Sequence, residues 1–562
     1  MSTGICGPRG KARAVCLCCH GRCRAQSARE TKAMDDSFSR ALARLKGFSG
    51  FRSDVVRGRA DLDGAGVDLR LFEAVLTSGG DERIATDPAT GRNRYGIPSG
   101  RASDEVWFSS STATAISPRG YDAALLAFQG LTAGDTDSAV SAWFDRIRDR
   151  LLALFGVPGA GAILCASGTE AELIVRVIAG NLLAAPLTSV VVAPTETGSG
   201  VPLAAEGRHF LGTAPFADQV PRGQLLDGLS AVDTEVVAVA IRGPAGEALS
   251  IDAIDDEVVA GVEAARSRDR SVLVHVLGCS KTNRFGPRRE TALALQAKYG
   301  DRVLVAVDSC QLRCSPEQIR SDLDSGFIVM VTGSKFAGGP PFAGAVLLPP
   351  AIVDRLRLLA LPPGIFAYSA AADWPAVLRG ALNVRFGMPA NIGLGLRWEA
   401  ALAELEALFA LDRGLREHVA VRFATLIRQV VGSCTSFDLL DEDLLDETGR
   451  QTIFPIVTLP ASGTAVPAEV LHRALRSPLH SDLADLRGRA YHVGQPVVVG
   501  QRSALRVCLS APHVIAVGER VGEGRDFDEA FAPLAADLNA LFLKWLYVNS
   551  RHDRASDALL TA

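Results

Sequence analysis

The run GAILCASGTEAE, residues 161–172, decides how this chain is read. Gly161 to Cys165 is short and wholly apolar, as a strand buried on both faces must be, and residues 170–184 carry the apolar spacing of an amphipathic helix. Between them stands Ser167-Gly168-Thr169, where a strand ends and a helix starts. A helix start leaves backbone N–H groups unpaired at the positive end of the dipole. A phosphate therefore fits there, with hydroxyl help from Ser167 and Thr169. Simple capping of the helix by either hydroxyl is the plainer alternative.

The same rhythm continues downstream. Short β-branched runs at 189–193, 235–241, 271–277, 303–307, 327–332 and 343–348 alternate with longer helical stretches such as 255–266. With 161–165 they make seven strands, apolar almost throughout, which predicts one large mostly parallel sheet covered by helices on both faces. Residues 137–155 read as a helix leading into the first strand, and 80–120 as a turn-rich arm. Beyond Pro362 the pattern changes to a long helical region, 392–428, followed by strand-like pieces at 452–459 and 504–510. The expected fold is α/β, a large seven-stranded domain with a smaller α+β C-terminal domain. The expected divisions are a leader or mis-assigned start at 1–33, an arm with helices at 34–135, the large domain at 136–375 and the small one at 376–562.

Composition narrows the function class. At 562 residues the chain exceeds one compact core, and 48% hydrophobic with 22% charged residues is ordinary for a folded protein. A net charge of −4 gives no basic field for nucleic acid or an anionic membrane. The longest apolar run, 178–193, is interrupted by Asn181, Pro186, Thr188 and Ser189, so no membrane span is expected, and the compartment expected is the cytoplasm. Five of the eleven cysteines (Cys6, Cys16, Cys18, Cys19 and Cys23) crowd the first 23 residues, which is not a disulfide framework. They provide one C-x2-C pair, Cys16 and Cys19, and no second pair, so no metal is expected.

Two further pieces end predicted strands. In VAVDSCQ, residues 305–311, Asp308 follows an apolar strand; a carboxylate so placed needs a partner such as a protonated pyridine nitrogen, the alternatives being a helix cap or a salt bridge. In VTGSKFAGGPPFAGAVLLP, residues 331–349, Lys335 stands at a crowded Gly-rich turn, where its amine could form an imine with an aldehyde; a surface lysine is the alternative. The P-loop spacing is absent, and the glycines of GVPGAG, 156–161, precede a strand instead of following one, which excludes a dinucleotide turn.

Together the three pieces resemble the fold-type-I enzymes dependent on pyridoxal 5'-phosphate (PLP), the aspartate aminotransferase superfamily, and within it the class V aminotransferase and cysteine desulfurase-like branch, over residues 100–515. The resemblance implies PLP as cofactor, held as a Schiff base by Lys335, which then acts as base. Asp308 would hold the pyridine nitrogen, Gln311 and Asn283 would lie near the phenolic oxygen, and Ser167, Gly168, Thr169, Thr332 and Ser334 would contact the phosphate. Arg506, in SALRVCLSAP, is similar to the arginine that grips a substrate carboxylate, with Arg385 and Arg94 as rivals. It further implies a small-molecule amino-acid substrate and a homodimer. Aminotransfer leads. Decarboxylation, C–S or C–C lysis including desulfurase-like chemistry, and a non-catalytic relative are the alternatives. Two departures stand out. Glu196 and Thr197 occupy the place of the aromatic or histidine that stacks on the cofactor, and Cys434 is not in a desulfurase loop.

Overall fold

A computed structural model describes residues 68–101, 104–133, 137–357, 361–379, 386–441, 451–460, 466–478 and 488–560. The cysteine-rich start and Arg385 lie outside the described residues.

The arm supplies helix α1 (Leu69–Leu76), strand β1 (Val106–Phe108), helix α2 (Pro118–Ala133) and helix α3 (Asp137–Phe155). The large sheet follows: β2 (Gly161–Cys165), helix α4 (Gly168–Leu182), β3 (Leu187–Val192), β4 (Thr234–Val239), helix α5 (Ile251–Ser267), β5 (Ser271–Leu277), β6 (Val303–Ser309), β7 (Ile328–Thr332) and β8 (Gly344–Leu348). Their order across the sheet is β2-β8-β7-β6-β5-β3-β4, all neighbours parallel except β8, which runs antiparallel to both β2 and β7.

The apolar strands follow from burial on both faces. Along β6, Val303, Val305 and Val307 pack on one side with Val274 and Ile254, while Leu304 and Ala306 pack on the other with Ile174 and Met330. Successive side chains point to opposite faces, so a strand covered on both sides has no polar alternation to show. Strand β4 departs from this. It is the sheet edge, and most of its residues are half-buried.

The predicted helical region 392–428 is two helices, α6 (Ile392–Ala410) and α7 (Arg413–Gly432). The break has a local cause: Asp412 caps α7 by accepting the Leu415 N–H at 3.0 Å. Helix α6 packs into the core of the large sheet, where Trp398 Nε1 donates to the Gly344 carbonyl at 3.0 Å. A Cβ on Gly333 or Gly339 would lie 2.4 or 2.7 Å from Ala401 Cβ, so the glycines beside Lys335 let that turn sit directly on α6.

A five-stranded sheet completes the fold with β9 (Phe437–Leu439), β10 (Ile453–Thr458), β11 (Tyr491–Val499) and β12 (Arg502–Cys508), in the order β1-β11-β12-β10-β9. The pairing of β1 with β11 is parallel and the other pairs are antiparallel. Pieces 452–459 and 504–510 are thus β10 and β12. The sequence did not reveal β11, which contains Gly494, Gln495 and Pro496 and breaks register between Gly494 and Val497.

Candidate active site

The carboxyl ends of β2, β3, β5, β6 and β7 open on one cavity of about 370 Å³, bounded on its other sides by the arm and the five-stranded sheet. This is the edge at which open α/β sheets bind ligands. Ser167, Gly168, Thr169, Asp308, Gln311, Thr332, Ser334, Lys335 and Arg506 all line it.

At the start of α4 the capping box is present and still leaves N–H groups free. Ser167 is the N-cap: its Oγ accepts the Glu170 N–H at 3.3 Å, while Glu170 Oε2 accepts the N–H groups of Ala166 (2.5 Å) and Ser167 (3.2 Å). This capping box leaves the N–H groups of Gly168 and Thr169, which have no carbonyl to reach within the helix, to face a ligand. The turn needs glycine, because a Cβ on Gly168 would lie 2.8 Å from Cys310 Sγ. Behind it, burial and then the charge of Asp81 push the Glu170 carboxyl up to about 8 against the pull of Arg83. Arg83, from the arm, pairs with Asp81 at 2.6 Å, donates to Ser167 Oγ at 3.1 Å, and lies over the rings of Phe342 and Phe210. No motif singled it out. It lies 84 residues before Ser167 in a turn-rich stretch, and only the fold brings the two together.

Asp308 is the penultimate residue of β6, and its Oδ1 accepts the Cys310 N–H at 3.0 Å. Gln311 donates from Nε2 to the Ser111 carbonyl at 3.0 Å, and its Oε1 is buried with no partner among the described residues. Among those residues Lys335 Nζ has no hydrogen-bond or ion-pair partner. Thr332 also lines the cavity, with its hydroxyl donating to the Cys310 carbonyl at 2.6 Å.

Arg506 lies on β12 and is almost fully buried. It donates from Nε and Nη2 to the Gln495 carbonyl (3.0 and 2.7 Å) and from Nη2 to Thr112 Oγ1 (2.7 Å), while Nη1 is buried without a partner among the described residues. Burial is the main cause that lowers its pKa to about 10. Arg94 lines the cavity as an exposed side chain.

Asn283 requires a correction. It does not line the cavity; it is fully buried at φ 70°, inside a turn where its N–H donates to the Ser280 carbonyl at 3.2 Å. Lys281, two residues earlier, faces the cavity instead. The unexpected Glu196 explains this loop: its carboxylate accepts from Ser280 Oγ at 3.1 Å, from Thr282 Oγ1 and from Arg242, which also binds Asp441 at 2.6 Å. The residue standing in the stacking position is therefore a tether for the loop after β5. Cys434 does not line the cavity, whereas Cys279 and Cys310 do; burial holds the Cys310 thiol well above its ordinary pKa.

The donor set fits PLP: free N–H groups for a phosphate, a carboxylate for a ring nitrogen, an unpartnered amine for an aldehyde, and orphaned Gln311 and Arg506 atoms for ligand oxygens. No family model and no curated protein matches the sequence. Solved structures similar to it include the Escherichia coli cysteine desulfurase CsdA, 14% identical over 78% of this chain and 95% of that one, with a TM-score of 0.47. Others are Bacillus subtilis ureidoglycine-glyoxylate aminotransferase (12%, 79% and 94%, 0.47) and Oryza sativa TDC, solved with PLP and tryptamine (14%, 94% and 100%, 0.44). Among the described residues no helix is long and apolar enough to cross a membrane.

Proposed function

We propose that the chain is a PLP enzyme that transforms an amino acid or related amine at Lys335, with amino transfer as its reaction. The convergence of the α4 start, Asp308 and Lys335 on one cavity carries this reading.

Gly168 and Thr169 N–H, Ser334 and Arg83 would hold the phosphate, Asp308 the ring nitrogen, and Gln311 a ring substituent. When bound, PLP supplies an electron sink for the carbon next to the amine. The Lys335 amine would hold the cofactor through its aldehyde and would be the base that moves the proton at that carbon. Arg506 Nη1 would take the substrate carboxylate. That contact removes the penalty of a buried, unpaired N–H, about 1–3 kcal/mol. Both Lys335 and Asp308 line the cavity, which supports a catalytic role over a non-catalytic one.

Purified protein should acquire the visible absorbance of bound PLP, and Lys335→Ala should lose it while keeping its circular dichroism. A wild type that stays colourless with excess PLP overturns the proposal. Incubation of the loaded protein with pooled amino acids should yield at most one equivalent of keto acid per site without a keto-acid acceptor and many equivalents with one; amine or sulfide would assign a lyase instead.

A further inference from the structure

Five cations and two carboxylates line the cavity: Arg83, Arg94, Lys281, Lys335 and Arg506 against Asp308 and Glu196. Most are accounted for. Arg83 pairs with Asp81 and Glu196 is bound by Arg242. The proposed PLP chemistry, on which the role of Lys281 rests, assigns Lys335 and Asp308 to the cofactor and Arg506 to one substrate carboxylate. Lys281 and the exposed Arg94 are left over. Lys281 is the informative one, because it is half-buried and its Nζ has no hydrogen-bond or ion-pair partner among the described residues.

We propose that the substrate carries a second anionic group, a carboxylate or a phosphate, and that Lys281 is the residue that selects it.

The loop presents this lysine rigidly. Its own N–H donates to the Glu196 carbonyl at 3.0 Å, and its neighbours Ser280 and Thr282 are both tied to the Glu196 carboxylate. Burial first, then the charges of Arg506 and Lys335, bring its pKa down to about 8 while Glu196 pulls the other way, so the amine is still mostly protonated at neutral pH. A cation held in a partly dry cavity among other cations is unfavourable without an anion, and a ligand anion placed beside Lys281 relieves it. A ligand with one carboxylate satisfies Arg506 and leaves Lys281 uncompensated. A ligand with two satisfies both.

The test uses unreactive anions, so that binding is read without turnover. PLP-loaded protein is titrated by calorimetry with glutarate, 4-phosphonobutyrate and butyrate, and the cofactor absorbance is followed in parallel. Wild type should bind glutarate or 4-phosphonobutyrate at least tenfold more tightly than butyrate; whichever binds more tightly identifies the second group. In Lys281→Met the preference should fall below threefold with the absorbance retained, and Lys281→Arg should restore part of it. Equal affinities in wild type overturn the inference. So does a Lys281→Met variant that keeps the preference, or one that alters the absorbance alone, which would make Lys281 a cofactor contact. A wild type that takes up no PLP is seen before any anion is added; it defeats the cofactor reading itself, and this inference with it.

Discussion

The two walls of the cavity are built on opposite principles. At the start of α4, Ser167 and Glu170 satisfy each other through the capping box, Arg83 is paired with Asp81, and Gly168 lies where no Cβ would fit against Cys310. Across from it, among the described residues, Arg506 Nη1 and Gln311 Oε1 are buried and unpartnered and Lys281 Nζ has no hydrogen-bond or ion-pair partner. The side chains of the first wall are mostly held by one another, and what it turns to a ligand is chiefly backbone N–H, although Glu170 Oε1 has no partner among the described residues. The second wall leaves polar groups that only a ligand completes, and variable substrate groups are best read by such unfinished hydrogen bonding.

The largest test of this contrast is Gly168→Val. Its side chain must displace Cys310 or the helix start, so PLP affinity should fall at least a hundredfold, measured by absorbance titration, with a melting temperature several degrees lower. Unchanged PLP affinity would show that the first wall is not preorganised.

Arg506→Met comes next. Affinity for butyrate should fall at least tenfold by calorimetry while cofactor absorbance persists, the Gln495 carbonyl losing its partner at a cost of about 1–3 kcal/mol in stability. Loss of the cofactor instead would merge the two walls into one unit.

Behind the second wall, His472 is held neutral. Burial, then Arg476, lowers its pKa to about 4 against the pull of the Val493 carbonyl, and Arg506 adds to the repulsion. The unfolded chain takes up this proton near 6.5, so the stability is present above that value and is lost as pH falls from there through 4, by roughly 3 kcal/mol. His472→Gln should flatten the decline of melting temperature over that window; an unaltered decline would place the proton elsewhere.

Glu170→Gln should act in the opposite pH direction to His472→Gln. The folded pKa of Glu170 is raised to about 8, so its contribution is present below 4.5 and lost as pH rises through 8. The glutamine variant should therefore gain on wild type in melting temperature between pH 5 and 8.5. A constant difference between the two would mean that the carboxylate ionises at its ordinary value.

How far the sequence could be read follows the same division. The seven strands of the large sheet were legible because burial on both faces leaves a continuous apolar signal, and the first wall because SGT, Asp308 and Lys335 each sit next to such a strand. The second wall was only partly legible. Arg506 was found by its strand, but Lys281 was passed over for Asn283 because nothing in SKTN says which side chain turns inward; the Glu196 tether decides that, from 84 residues away. Strand β11 was hidden by its bulge, and Arg83 by an arm whose position is set entirely by tertiary contacts.

The pairing of β1 with β11 joins residues 106–108 to 491–493, and directly after β1 come Ser110, Ser111 and Thr112, which touch Leu509, Gln311 and Arg506. Chain closure over so long a separation is slow, since the entropy of the intervening chain must be lost before the contact rewards it. During refolding the sheet core should therefore recover first and the capacity to bind carboxylate last. Delayed recovery of butyrate binding relative to circular dichroism is the expected trace. The cavity is bounded where the arm meets the C-terminal sheet, so the contact expected to form last is also the one that borders the candidate site.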